Sequence, residues 1–434
     1  MLPRLFRRRS GRLGLIALAL GLLLLIAPTS LSQFSQFSPA SPPPPPPSAD
    51  PAVFDQVWQT VSDHFFDPNF NGVDWAAMRE KYRTQAAQAQ TRPELAQVIN
   101  QMLAELKTSH TRLFTPEEPA YYQILGIFWP RNSELQQQLQ ATLPSGKPEY
   151  SGIGIFTETR PDGSFISAIL DGSPAETAGL QVGDRLISVD GQPFQPIQSF
   201  LGKVNQPVMV TVQRFPRAGS QQFRVTPRLY DGTIMFLDAL KASVELVEQA
   251  GHQIGYVHLW SYAGDQFQSQ LETELLTGKL QEAESFVLDL REGWGGALPV
   301  YLNLYSPRNV QLTSLGRNRQ SRLDSAWNKP VVMLVNQNSR SGKEILAYGF
   351  RKHKIGPVVG SKTPGAVVQG TLFPMSDGSA LYLAVGDVYL DGDQRLEGVG
   401  VTPDIEVPFL LEYAQGADPQ KDRAMAVALE AVQP

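Results

Sequence analysis

The sequence predicts an α/β core in the C-terminal half of the chain, preceded by an N-terminal helical domain and an inserted small β-domain. Three observations carry this. The short apolar runs Ile254–Leu259 (IGYVHL), Ser285–Leu290 (SFVLDL) and Val331–Val335 (VVMLV) are flanked by charged or glycine-containing loops, as expected of strands buried on both faces of a sheet. Apolar residues recur at helical spacing between Pro51 and about Glu118. From 150 to about 227 the chain becomes glycine-rich and strand-like, with turn signals.

The bulk composition supports a packed core and narrows the chemistry. At 434 residues the chain has room for two or three domains. Hydrophobic residues make up 42% and charged residues 18%, an ordinary globular balance. A net charge of -5, from 37 basic and 42 acidic side chains, gives no electrostatic footprint for nucleic acid. The absence of cysteine excludes disulfides, thiolate metal sites and a cysteine nucleophile. The five histidines, His64, His110, His252, His258 and His353, are too dispersed for a zinc motif. No metal and no cofactor is expected, so the chemistry falls to hydroxyls, carboxylates, lysines and a few imidazoles.

Residues 1–32 read as a targeting device. Arginines 4, 7, 8, 9 and 12 precede the uncharged run LGLIALALGLLLLIAP at 13–28. That run is shorter than the roughly 20 apolar residues a comfortable span needs. It suits a signal-peptide core, with Ser30 and Ser32 ahead of a cut near Gln33. An uncleaved anchor is the alternative. Either way the rest of the chain is expected outside the cytoplasm, in a periplasm or thylakoid lumen, with membrane contact only through this segment. Residues 33–50 form a proline-rich linker, whose run Pro43–Pro47 favours polyproline II.

The helical domain is expected over 51–145. Val53, Phe54, Val57, Trp58 and Val61 make one stripe; Leu95, Val98, Ile99, Met102, Leu103 and Leu106 make another, with Pro93 in its first turn. His110, just beyond the second stripe, is read as satisfying carbonyls at the helix end. The β-domain is expected over 150–227. Ser173 caps a short helix with Pro174 at its start, Gly179 ends it, and Asp190-Gly191 turns a hairpin. The core is expected over 232–434. It includes a helix at Ser341–Phe350, a hairpin turning at Ser376-Asp377-Gly378, and a last helix whose N-cap is Asp418.

Two segments are placed to do chemistry. Leu334–Ala347 (LVNQNSRSGKEILA) reads as strand, polar turn and helix entrance, which presents Ser341 beside helix amides that favour negative charge. The amide of Gly342 can then stabilise an oxyanion. The same Ser341–Glu344 spacing is also a capping box, a purely structural device. Asp289–Leu302 (DLREGWGGALPVYL) ends a strand in a loop where Gly295, or Gly296 as second choice, lets backbone approach a ligand and supply a second donor.

The segment from Tyr150 to Phe194 resembles a PDZ domain. The resemblance implies that Ser151, Gly152, Ile153, Gly154 and Ile155 offer backbone amides to a peptide's C-terminal carboxylate, the peptide adding as a strand. From residue 51 onward the chain resembles the C-terminal processing peptidases and the core domains of tricorn proteases. The features that carry it are the helical lead, the PDZ insert, Asp289-Leu290-Arg291 with Gly295-Gly296, the Ser341–Glu344 helix entrance, VVGSKTPGA from Val358, and LEGVGVTPDIEV from Leu396. This resemblance implies a ClpP/crotonase-like α/β catalytic core and an exported serine endopeptidase acting on protein substrates held by their tails. The tail-processing branch uses a serine–lysine pair, but Ala366 stands at the lysine's place; Lys343 and Lys362 are merely nearby. The tricorn-like branch uses a histidine held by a glutamate through an intervening serine. The residues expected in those roles are Ser341 as nucleophile, His258 as base and Glu397 as orienting acid. Val257 precedes His258, so the intervening serine is missing there, and Gly293 replaces an asparagine usual in the glycine loop. The rival expectation is a catalytically inactive PDZ-containing binding protein of the same fold.

Overall fold

A computed structural model describes residues 47–306 and 311–433. The expected leader at 1–32 and nearly all of the linker at 33–50 lie outside the described residues. Among the described residues no helix is long and apolar enough to cross a membrane.

The helical lead begins with α1 (Ala52–His64), which buries Val53, Phe54, Val57 and Val61. Next comes α2 (Trp75–Gln88), where the Asp74 carboxylate accepts from the Ala77 amide. A Thr91–Glu94 capping box starts α3 (Arg92–Ala104), with Pro93 in its first turn. Their buried faces do not close on each other alone. The same apolar cluster takes in Leu113, Val368, Leu381 and Leu383 from elsewhere in the chain. A three-residue strand, β1 (Arg112–Phe114), leads out of this region into α4 (Pro119–Phe128).

The β-domain opens with β2 (Glu149–Gly152) and β3 (Ile155–Arg160). It continues through β4 (Gly163–Ile169), β5 (Arg185–Val189), β6 (Val208–Gln213) and β7 (Gln221–Val225) to β8 (Arg228–Asp231). Strands β3 to β7 follow one another across an antiparallel sheet, so β3 is an edge, while β2 pairs with β8. Ile153, Ile166, Val189, Phe200 and Val210 pack its interior. The Ser173 hydroxyl accepts from the Glu176 amide at 3.2 Å, and Asp190 and Gly191 take φ values of 50° and 77°, as a two-residue hairpin turn requires.

The α/β core is built on six strands in the order β9 (Glu245–Gln249), β10 (His252–His258), β11 (Ser285–Asp289), β12 (Val331–Val335), β13 (Val358–Gly360) and, at the far edge, Ile405–Glu406. Only the β9–β10 pair is antiparallel. Apolar side chains on both faces of β11 and β12 need cover on both sides. On one face Phe286, Leu288 and Met333 pack with Leu346, Ala347 and Phe350 of α5 (Gly342–His353). On the other, Val287, Val332 and Leu334 pack with Ala424, Met425 and Ala428 of α6 (Pro419–Glu430). The expected hairpin forms as β14 (Val368–Pro374) and β15 (Ala380–Asp387). β1 adds to its β15 side, with Arg112 opposite Tyr382. The end of the helical lead is thereby tied to the core.

Candidate active site

Ser341 stands at the N-terminus of α5, one turn beyond the carboxyl end of β12. Its backbone takes φ 60° and ψ -127°, outside the regions an L-residue prefers. Such strain costs on the order of 1–3 kcal/mol and persists only where surrounding bonds enforce it. Here the Ser341 amide donates to the Ala366 carbonyl at 2.9 Å and to Glu344 Oε2 at 3.2 Å. Glu344 is the clamp. Its Oε1 also accepts from Thr363 Oγ1 at 2.6 Å and the Gly365 amide at 2.7 Å, and its Oε2 from the Ala366 amide at 2.7 Å. Burial raises its pKa against these four bonds. The expected capping residue therefore fastens the 363–366 loop to the serine turn.

Gly295 packs directly on this turn. A Cβ there would lie 2.5 Å from Ser341 Cβ and 2.8 Å from the Arg340 carbonyl oxygen. A Cβ on Gly342 would collide with Ala297 backbone. Among the described residues the amides of Gly295, Gly296 and Gly342 meet no protein acceptor, while the Trp294 amide is taken by the Trp260 carbonyl at 2.8 Å. The free donors are thus those beside Ser341. Gly293 has φ 66°, and a side chain there would strike the Trp260 carbonyl, which accounts for glycine at that position.

Ser341 opens into a cavity of about 740 Å³. His258 is not on its wall. The imidazole is buried and lies over the Trp260 ring, with centroids 3.9 Å apart. Its Nε2 donates to the Arg291 carbonyl at 3.0 Å, and its Nδ1 lies 3.6 Å from Asp171 Oδ2. Burial pushes its pKa down to about 4. The physical reason is that His258 ends β10 and its ring is held away from the cavity by Trp260 and the Arg291 carbonyl. The expected base and the expected nucleophile are not brought together.

The imidazole on the cavity wall is His110. It does not cap α3, which ends at Ala104. It sits two residues before β1 with φ 53°, its ring against Tyr382 at 5.0 Å between centroids. Its Nδ1 lies 2.9 Å from Ser109 Oγ. The Ser109 hydroxyl donates to Glu397 Oε2 at 2.9 Å, and the Ser109 amide donates to Glu397 Oε1 at 2.7 Å. A hydroxyl that donates its only hydrogen to a carboxylate accepts from its other neighbour. The proton of neutral His110 is therefore on Nδ1, and the Nε2 lone pair is free. Burial, with a further contribution from the Arg340 cation, pushes the His110 pKa down to about 4. Glu397 is held in turn by the Val367 amide at 2.6 Å. The intervening serine sought before His258 has its counterpart in Ser109. The one available signal was the dipeptide Ser109-His110: of the five histidines, only His110 follows a serine.

The lysines near Ser341 point elsewhere. Lys362 is exposed and off the cavity wall. Lys343 is fully buried under the glycine loop, where Nζ donates to the carbonyls of Glu292 at 2.6 Å, Trp260 at 3.2 Å and Arg291 at 3.4 Å. Burial pushes its pKa down to about 7. It holds the floor of the site and does not face the cavity.

The loop at 151–155 is tied into the β-domain through its first two residues and its carbonyls. Ser151 and Gly152 pair with Leu229 and Arg228. The Ile153 side chain is buried in the domain interior. The carbonyls of Ile153 and Gly154 accept from the amides of Ala175 and Leu170. The edge strand that follows is better placed: Phe156, Thr157 and Glu158 of β3 lie on the wall of the Ser341 cavity, and the Phe156 ring stacks on Trp260 at 5.5 Å.

Residues 253–407 match the model of peptidase family S41, residues 165–214 that of a PDZ domain, and residues 48–104 that of the tricorn protease C1 domain. The matched segments are those of a serine-type peptidase core with a PDZ domain ahead of it. A carboxyl-terminal-processing protease of Synechocystis sp. is 28% identical over 392 residues, covering 85% of this chain and 84% of that protein. Tricorn protease homolog 1 of Streptomyces coelicolor is 27% identical over 399 residues, covering 88% of this chain and 35% of that one. The solved tricorn protease shares the fold, with a TM-score of 0.50 and 17% identity over 88% of this chain and 36% of that one.

Proposed function

We propose that this chain is a serine endopeptidase whose nucleophile is Ser341 and whose base is His110, oriented by Ser109 and Glu397. The observation that carries the reading is the Glu397–Ser109–His110 hydrogen-bonded chain on the wall of the cavity that Ser341 lines. His110 Nε2 takes the Ser341 proton as the hydroxyl attacks the scissile carbonyl, then returns it to the leaving amine. The amides of Gly342 and Gly295 are offered to the oxyanion. The imidazolium formed on the way is stabilised through Ser109 by Glu397. Ala366 at the lysine's place then costs nothing, because a histidine supplies the base. That removes the main support for an inactive binding protein.

The base works only when unprotonated, and its pKa is lowered. The active form is present above about pH 4 and is lost as pH falls through that value. kcat/KM is expected to stay level from neutral pH down past 6.5, the ordinary histidine value, while circular dichroism reports an intact fold. An acid limb centred at 6.5 or above contradicts the assignment.

The substrates proposed are proteins delivered by their C-terminal tails, the tail adding to the free edge of β3. Support comes from the PDZ match, from β3 lying on the cavity wall, and from the relative named for carboxyl-terminal processing. Anisotropy with a labelled peptide is expected to show tight binding for a free carboxylate and a sharp loss on amidation, which replaces an acceptor by a group that also donates. Equal binding of the two peptides removes tail selectivity. We also propose export, from the arginine-rich and apolar run at 1–32. Fractionation of a C-terminally tagged chain checks this, and a product confined to the cytoplasm overturns it.

A further inference from the structure

Four charged side chains lie on the wall of the Ser341 cavity: Arg112, Glu158, Glu292 and Arg340. Three of them are engaged within the protein. Arg112 pairs with Glu118 at 2.6 Å, Glu158 pairs with Arg160 at 2.8 Å, and Glu292 accepts from Asn336 at 2.9 Å and from Asn338 at 3.0 Å. Arg340 has no ion pair and no side-chain hydrogen bond among the described residues. Its guanidinium lies over the Trp294 indole, 5.5 Å from the ring centroid. It is half-buried, and burial pulls its pKa below the usual guanidinium range. Glu292 and, more weakly, Glu344 act on it through space, but the first carboxylate is already held by the two asparagines and the second by the Ser341 and 363–366 donors.

A partly desolvated guanidinium without an anion is a costly arrangement. Its five donors in a planar fork suit a carboxylate, which they meet in two parallel bonds. The position restricts where that carboxylate comes from. Arg340 immediately precedes Ser341, its cation lies on the indole that precedes Gly295, and it acts electrostatically on His110. A substrate group meeting it is within one side chain of the scissile bond.

We propose that Arg340 is a specificity-determining residue that binds a substrate carboxylate next to the scissile bond. The carboxylate is either an aspartate or glutamate side chain flanking that bond or a free chain end close behind it. This subsite is separate from the 151–155 loop and from the edge of β3. The inference rests on the reading of Ser341 as nucleophile.

The test starts from a mixed peptide library digested by the full chain, with cut sites mapped by mass spectrometry. Matched peptides then carry Glu or Gln at each position around the cut, and short peptides end just beyond it as free acid or amide. One position, or the free-acid arm, is expected to show a kcat/KM ratio of about 30 or more over its neutral match, the scale on which a buried charge-paired contact is lost. In Arg340→Gln that ratio is expected to fall towards one, and in Arg340→Lys to survive in part. Ratios near one in every arm of the wild type, or a ratio retained by Arg340→Gln, overturn the proposal while leaving Ser341 as nucleophile. Calorimetry on Ser341→Ala with the same peptides keeps the two ideas apart. If nothing is cleaved yet the acidic peptide binds more tightly in an Arg340-dependent way, the peptidase reading fails and the carboxylate subsite stands. If nothing is cleaved and no acidic preference appears in binding, both fail.

Discussion

Replacing His110 by alanine is expected to cut kcat by about a million-fold, the scale seen when the histidine of a serine–histidine–acid unit is removed. Circular dichroism should show the fold retained, since the ring contributes one stacking contact with Tyr382 and one bond to Ser109. His258→Asn makes the contrasting case. His258 packs on Trp260 and donates to the Arg291 carbonyl, so its loss should lower the melting temperature before it touches the chemistry. Glu397→Gln belongs with the first group. Whichever way the amide turns, it places a donor against at least one of the three donors that Glu397 now accepts from, the Ser109 amide on one oxygen or the Ser109 hydroxyl and Val367 amide on the other. If His258→Asn abolishes turnover in a folded protein while His110→Ala retains it, the base is misassigned.

The second large effect is expected at Glu344. Both of its oxygens are fully used: Oε1 accepts from Thr363 and Gly365, and Oε2 from Ser341 and Ala366. Glutamine preserves the shape but turns one oxygen into a donor, so one pair of donors is left facing N–H groups. Glu344→Gln should therefore cost about 3 kcal/mol or more, nearly as much as Glu344→Ala, because buried donors are left unsatisfied in both. Activity should fall with stability, since the same bonds enforce the strained Ser341 backbone. Chemical denaturation of the two variants checks this. A glutamine variant as stable as wild type means that the clamp is not what holds the serine turn.

Much of the architecture was legible because it is local. Runs such as VVMLV bury both faces, and the helix stripes, the Ser173 cap and the Asp190-Gly191 turn follow from neighbouring residues alone. The place of Ser341 was legible for the same reason, as a strand, a polar turn and a helix entrance lie within fourteen residues of sequence. The Glu397–Ser109–His110 chain was not. Ser109 meets Glu397 across 288 residues, and the meeting depends on β1 joining β15. A three-residue strand leaves almost no periodic signal. His258 ends a strand at the carboxyl end of the sheet, but which way its ring turns depends on contacts with Trp260 and the Arg291 carbonyl that no local pattern shows. The burial of Ile153 was hidden likewise, since it comes from the surrounding β-domain.

The central claim is that Ser341 is activated by His110. Its most direct measurement is labelling by a fluorophosphonate probe, with the adduct located by peptide mass mapping in wild type, His110→Ala and His258→Asn. A single adduct on Ser341 is expected in wild type, with near loss of labelling in His110→Ala and retained labelling in folded His258→Asn. Labelling of His110→Ala at the wild-type rate, or an adduct on another serine, contradicts it.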